Sequence, residues 1–405
     1  MFLQRLGLPR MRGHAALVLA FLLDALGTGL YLPFSLLYFQ RVAGLALPAI
    51  GVTLTLATVL TLPMTPITGT LVDRFGSKPL VLISQLLQGL GFLGYLFVHD
   101  IPMLFVMTFL VTAGNRVFYA ACTALIAEVA GPDERDRWYG FVGATQSLGL
   151  TLGGLLAGFV VAFGGANGYR ALILANVLSF LLTTIALSLH KTAPRPRPQL
   201  AITGPGGYRE VLANRPFLVL VACNVVFALC PFLLEMGLPI YATETLKTST
   251  LIVGALFAFS SGLVICMQTL LMRLLESSRR TRSLAIASLL WLIGCFLFAL
   301  APLLPGFLLI PYLFGTVAVY TLAGLIANPT SMALAAAIGP AHLQGRYIAI
   351  HQFSWGVAAA IAPVMFTLLY ALGPAWPWMA LTLPIIVAGL LMSRLERHLS
   401  AQTLR

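Results

Sequence analysis

"GTLVDRFGSKPL", Gly69 to Leu80, sets two glycines, one acid and two bases between long apolar runs. The break stands out because the rest of the chain is so poor in charge. Of 405 residues, 59% are hydrophobic and only 9% charged. Mean hydropathy is +0.95. Soluble proteins of this size keep roughly a quarter of their residues charged. Water would not tolerate such a surface, but a bilayer would, so the composition assigns the chain to the membrane.

Arg5, Arg10 and Arg12 precede the first apolar run, as in a signal peptide. That run is too long for a signal core and no small-residue cleavage site closes it, so a retained first helix is expected. The five cysteines, Cys122, Cys223, Cys230, Cys266 and Cys295, all fall in apolar segments. They read as small buried hydrophobes, with neither a disulfide framework nor metal-ligand spacing.

A span needs about 20 apolar residues to cross a core of about 30 Å. Twelve windows qualify: 15–38, 48–71, 79–98, 102–125, 139–163 and 169–189, then 215–241, 249–273, 282–302, 305–328, 347–371 and 375–394. Between the sixth and seventh lies a stretch in which Pro alternates with Arg, which favours extended, solvated backbone. The expected organisation is a six-helix bundle over 1–189, a linker over 190–214 and a second six-helix bundle over 215–405.

The charges fix an orientation. With the N-terminus cytoplasmic, 20 of the 24 Lys and Arg residues fall on inside segments; Arg41, Arg170 and Lys247 fall outside, and Arg116 lies within a span. This asymmetry predicts both termini cytoplasmic. It also explains the net charge of +12 by an anionic inner leaflet, without nucleic acid. The halves are faintly alike: "RDRWYGFVGATQSLG" enters the fifth window and "QGRYIAIHQFSWG" the eleventh. The fold class expected is all-α integral membrane, twelve spans in two pseudo-repeats, with a cavity at the repeat interface.

Ionisable residues at bilayer depth are costly and seldom accidental. Asp24 sits about nine residues from the cytoplasmic start of span one, and Arg116 about nine from the cytoplasmic end of span four. Both are then roughly 13 Å deep. A pair facing a wet cavity is one resolution, with Asp24 exchanging its partner for a proton; a permanent structural salt bridge is the other. Asp24, Thr28 and Tyr31 share one helical face, as do Arg116, Tyr119 and Thr123. These stripes suit a substrate path or plain packing. Further cavity candidates are Gln146, Asn224, Glu235, Gln268 and Gln352, with Tyr312, Thr316 and Tyr320 repeating along span ten. His351 reads as hydrogen-bonded packing more than as a proton site, and Glu128 as a charge at the end of span four.

The loop resembles the signature of the major facilitator superfamily, G-x-L-x-D-R-x-G-x-[RK]. Gly69, Leu71, Asp73, Arg74, Gly76 and Lys78 fill it. A base in span four and an acid in span one, here Arg116 and Asp24, are similar to the superfamily's drug/proton antiporters, and the resemblance covers essentially the whole chain. It implies that Asp73 and its neighbouring bases latch the cytoplasmic gate, with Asp73 at the N-terminus of span eleven near Tyr347. Gly69 and Gly76 are expected to let the helix end and the chain turn. Two departures stand out. Ser77 replaces a second base, leaving the latch one charge short. "GLTLGG" has Leu150 where the antiporter motif carries proline. Gly149, Gly153, Gly154 and Gly158 still offer a small-residue packing face.

The function expected is proton-coupled efflux of small amphipathic or hydrophobic compounds by a monomer in the cell (inner) membrane. A metabolite importer on the same fold is the alternative. A membrane enzyme or sensor is disfavoured: there is no phosphate loop, no metal-ligand cluster and no Ser/His/Asp set at one depth. No metal or cofactor is expected; the partners are a small-molecule substrate, protons and lipid.

Overall fold

The computed structural model describes residues 15–129, 135–189, 208–275, 278–340 and 343–399, and helices are their only regular elements. The chain divides into two units, Met1–Gln199 and Leu200–Arg405. In the first, α1 (Ala15–Tyr31) runs through a short 3-10 turn into α2 (Ser35–Arg41), followed by α3 (Leu47–Thr61), α4 (Met64–Phe75), α5 (Ser77–Tyr95), α6 (Ile101–Val129) and α7 (Arg135–Leu189). In the second come α8 (Tyr208–Ala213), α9 (Arg215–Ile240), α10 (Thr250–Leu275), α11 (Arg280–Leu300), α12 (Gly306–Ile338), α13 (Gln344–Leu372) and α14 (Trp376–Leu395).

Among the described residues, nine helices are long and apolar enough to cross a membrane. The windows 48–71 and 79–98 are helical too, but the first is split into α3 and α4 at Leu62–Pro63, where proline removes a backbone donor. The windows 139–163 and 169–189 are not separated by a loop. They form the one run α7, broken only by the non-helical backbone of Gly165 (φ 51°, ψ −131°). A Cβ placed on Gly168 would stand 2.5 Å from the Val160 carbonyl oxygen. Eight residues of straight helix span about 12 Å, so α7 folds back on itself there.

The expected linker is described only from residue 208; 190–207 lie outside the described residues. Its last residues are not extended. They form α8, and the Asn214 side chain caps α9 by accepting from the Phe217 N–H at 3.2 Å, as an N-cap does.

The two interiors are built differently. In the first unit α1 meets α7 through glycines. An added Cβ on Gly153 would stand 2.5 Å from the Leu26 oxygen and 2.7 Å from the backbone of Gly29, and one on Gly149 2.5 Å from the Ala25 side chain. Glycine alone lets two backbones come this close. Gly154 and Gly158 are also buried. In the second unit large rings fill the core: Phe298 stacks on Trp378 at 4.1 Å, and Trp291, Tyr241 and Tyr320 close around them.

Many large apolar side chains face outward, among them Phe163, Leu189 and Leu383. A lipid-embedded surface presents such groups. Hydroxyls inside the helices bond to their own backbone, as Thr53 does to Ala49 and Thr68 to Met64, so they enter the bilayer without needing a distant partner.

Candidate functional site

Asp24 lies on α1 with 6% of its surface exposed. The turn before it, Ala20 and Phe21, packs in an apolar cluster with Phe118, Ala121 and Cys122 of α6. An isolated carboxylate is expensive there. Its Oδ1 accepts a 2.8 Å hydrogen bond from Nε2 of Gln85 on α5, while Thr28 Oγ1 donates to the Asp24 backbone carbonyl. Gln85 is fully buried, and its Oε1 has no hydrogen-bond partner. From α7, Thr183 donates to the Ala20 carbonyl at 3.3 Å, and Asn176 and Ser179 sit against Gly27.

The pair expected between Asp24 and Arg116 does not form in this structure: the carboxylate's partner is the Gln85 amide. Helix geometry gives the reason. Phe118, Ala121 and Cys122 are the α6 residues packed against the turn that precedes Asp24, and Cys122 is the last of them. Arg116 precedes it by six residues, which is about 9 Å along the axis and a third of a turn off that face. Counting from the estimated ends of the apolar windows placed the two charges at one depth; α6 runs on to Val129 and shifts that count.

Of the other candidates in this unit, Tyr31 packs into a ring cluster, 4.6 Å from Phe92 and 5.7 Å from Tyr95. Thr28, Arg116 and Gln146 are half-buried; Tyr119 and Thr123 are exposed, and Thr123 donates to the Tyr119 carbonyl. Gln85 was missed by sequence reasoning. Its signal was a glutamine inside an apolar window, which is costly for the same reason as a charge.

In the second unit Asn224 is the centre of a buried polar network. Its Nδ2 donates to Ser354 Oγ at 2.6 Å, and its Oδ1 accepts from Ser331 Oγ at 2.7 Å. Ser331 Oγ also lies 2.8 Å from His351 Nε2, and Ser354 Oγ donates to the His351 carbonyl at 2.6 Å. The network ties α9, α12 and α13 together, with His351 Nδ1 left unpartnered. Thr316 and Tyr320 lie in the core: Thr316 donates to the Tyr312 carbonyl and Tyr320 to the Cys230 carbonyl. Tyr312 donates to the Leu297 carbonyl. Gln268 and Gln352 are exposed. Glu235 is half-buried between Pro231 and Pro239 of α9, one turn from the Phe232 ring, which meets Trp355 at 5.9 Å.

The family model described as the Major Facilitator Superfamily matches residues 17–363. The chain belongs to this superfamily. It is therefore a multi-pass membrane transporter and not an enzyme. It is 23% identical over 390 residues to the multidrug resistance protein MdtH of Salmonella typhimurium, covering 94% of this chain and 93% of that one. MdtH of Salmonella typhi matches with the same identity and coverage. Among solved structures, the nucleoside transporter NupG gives a TM-score of 0.77 at 13% identity, over 93% of this chain and 98% of that one. A bacterial homologue of the iron transporter ferroportin, in an inward-facing state, gives 0.77 at 13%, over 96% and 99%. A D-xylose-proton symporter gives 0.75 at 16%, over 96% and 98%. These structures share the superfamily's fold.

The superfamily loop now has a geometry. Gly69 lies inside α4, six residues before the helix ends, so it is not a turn residue as expected. Gly76 makes the turn alone, with φ 90° and ψ 162°, a region that other residues rarely adopt. Arg74 stacks over the Phe75 ring at 5.3 Å, and Lys78 Nζ donates to the Ser188 carbonyl at 3.1 Å. The side chains of Asp73 and Glu128 lie outside the described residues.

Proposed function

We propose that this transporter is a proton-coupled exporter of small amphipathic or hydrophobic compounds. It works as a monomer in the cell (inner) membrane, through twelve spans with both termini cytoplasmic, and cycles by alternating access. The observation that carries the reading is the Asp24 carboxylate, buried on a membrane helix and held by a neutral amide. Buried acids in membrane helices are usually paired with another ionisable or polar group. One held only by an amide can take up and release a proton without breaking an ion pair. The likeness to MdtH supports export of drug-like compounds. Glu235, beside the Phe232–Trp355 ring pair, supports a substrate with an apolar body and a polar or cationic end. Arg116 acts as a half-buried charge lining the path, and Asp73, Arg74 and Lys78 act at the inner gate.

The test is flux in proteoliposomes. Compounds are first chosen by a thermal-shift screen over dyes, antibiotics, sugars and amino acids, because a ligand stabilises the state it binds. Export of a screened compound should follow an imposed pH gradient and collapse when the gradient is dissipated. Asp24→Asn should abolish gradient-driven flux. Normal coupled export by that variant sinks the assignment of Asp24.

Import by symport is the second reading, favoured by Leu150 in the position of the antiporter proline. Leu150 lies against Gly29 of α1, its Cα 2.7 Å from where a Cβ on that glycine would be. Reversing the imposed gradient separates the readings: an exporter accumulates substrate against inward proton flow, and a symporter with it.

A further inference from the structure

The contact between Asp24 and Gln85 has an uneven hydrogen-bond count. Asp24 Oδ1 accepts from Gln85 Nε2 at 2.8 Å. Gln85 Oε1, in the same fully buried amide, receives nothing. A buried acceptor without a donor normally costs about 1–3 kcal/mol, so its retention needs an explanation.

A side-chain amide has a donor end and an acceptor end, exchanged by half a turn about its last torsion, which is broad and roughly two-fold. A carboxylate can only accept and therefore selects Nε2. A protonated carboxyl also carries an O–H donor, and Oε1 is the neighbouring group that lacks one. We propose that Gln85 is a positioning residue that follows the protonation state of Asp24, rotating its amide to donate to the carboxylate and to accept from the carboxylic acid. The inference rests on the reading of Asp24 as the proton site.

The step balances. Asp24 gains one proton from the aqueous phase, the Nε2–H···Oδ1 bond breaks, and an O–H···Oε1 bond forms. Each protonation state has one hydrogen bond in the pair and one orphaned amide atom, Oε1 in the first and Nε2 in the second. Neither state is penalised relative to the other by hydrogen-bond count. A partner such as Arg would favour the carboxylate alone.

The surroundings leave few competing groups. On α6 the Cys122 thiol packs in the apolar cluster beside the turn that precedes Asp24. Arg116, on the same helix, makes no ion pair with it. On α7 the facing polar groups, Asn176, Ser179 and Thr183, do not titrate, and on α1 Tyr31 is turned into the ring cluster with Phe92 and Tyr95. On α5 Gln88 bonds back to the Ser84 carbonyl at 3.4 Å. Gln85 is thus the group placed to respond when Asp24 changes charge.

Infrared difference spectra of the full chain in lipid, taken between acidic and alkaline pH, test this. A carboxylic-acid C=O band that disappears in Asp24→Asn is assigned to Asp24. In Gln85→Met, which keeps length but cannot hydrogen-bond as an amide, that band is expected to shift to higher wavenumber. Gln85→Asn, too short to reach, should give the same shift and serves if the methionine variant does not fold. A band at the same position in wild type and in the Gln85 variants overturns the proposal and leaves Asp24 as proton site intact. No Asp24 band at any accessible pH overturns both. Loss of packing alone would lower thermal stability without moving an assigned carboxyl band.

Discussion

The two units solve one problem in opposite ways. Both must bury polar side chains in helices that face lipid. The second does it with a network in which Asn224, Ser331, Ser354 and His351 make four hydrogen bonds across three helices and leave His351 Nδ1 without a partner. The first has a carboxylate with a single amide partner and three orphaned amide atoms, on Gln40, Gln85 and Asn176. Packing follows the same division: rings fill the second unit, and glycines bring backbones together in the first. A connected side-chain network rigidifies a core, whereas a lone polar contact ties fewer helices together. The contrast suits the proposed proton site in the first unit and an anchoring role for the network in the second.

Five substitutions test the comparison. Trp378→Ala should have the largest effect, because it empties the centre of the ring cluster. Lipid is as apolar as the site, so lost packing and the cavity dominate, and about 3 kcal/mol, the low end for such truncations, is expected in thermal or denaturant unfolding in detergent. Gly153→Ala should cost about 1–3 kcal/mol, because its Cβ meets backbone atoms of Leu26, Gly29 and Leu30 that cannot step aside. Gly262→Ala, with nothing within 4 Å, should be near neutral. Equal effects at the two glycines would remove the glycine half of the comparison.

Asn224→Ala should cost about 1–2 kcal/mol by removing the amide's hydrogen bonds to Ser331 and Ser354. If it instead leaves stability unchanged, the network is not an anchor. Glu396→Gln should show a small effect, about 1 °C in unfolding temperature. A hydrogen bond from Arg282, with Arg279 adding to it, holds the Glu396 carboxyl below its ordinary value. A depressed carboxyl stabilises the fold above the ordinary glutamate range, near pH ~4.3, and loses that contribution as pH falls through the folded value. The wild type and the variant should therefore differ at neutral pH and converge in acid.

Much of this was legible in the sequence. Apolar windows marked every long helix, because lipid forces about 20 apolar residues into each span. Asp24 stood out because so few charges surround it. Helix ends and rotations were not legible, and they decide which side chains meet. Arg116 was assigned a depth from a window edge, and Gly69 a turn that Gly76 makes alone. Asn224 was visible as a polar residue in an apolar run. Ser331 and Ser354 were not, because a serine in a membrane helix more often bonds its own backbone. Gln85 was overlooked because it carries no charge.

The reversal at Gly165 has a consequence for how the protein is made. A φ of 51° with ψ −131° lies outside the regions open to residues with a side chain, and only the five residues Gly164 to Gly168 separate the two legs of α7. The two legs should therefore enter the lipid together, as a single helical hairpin.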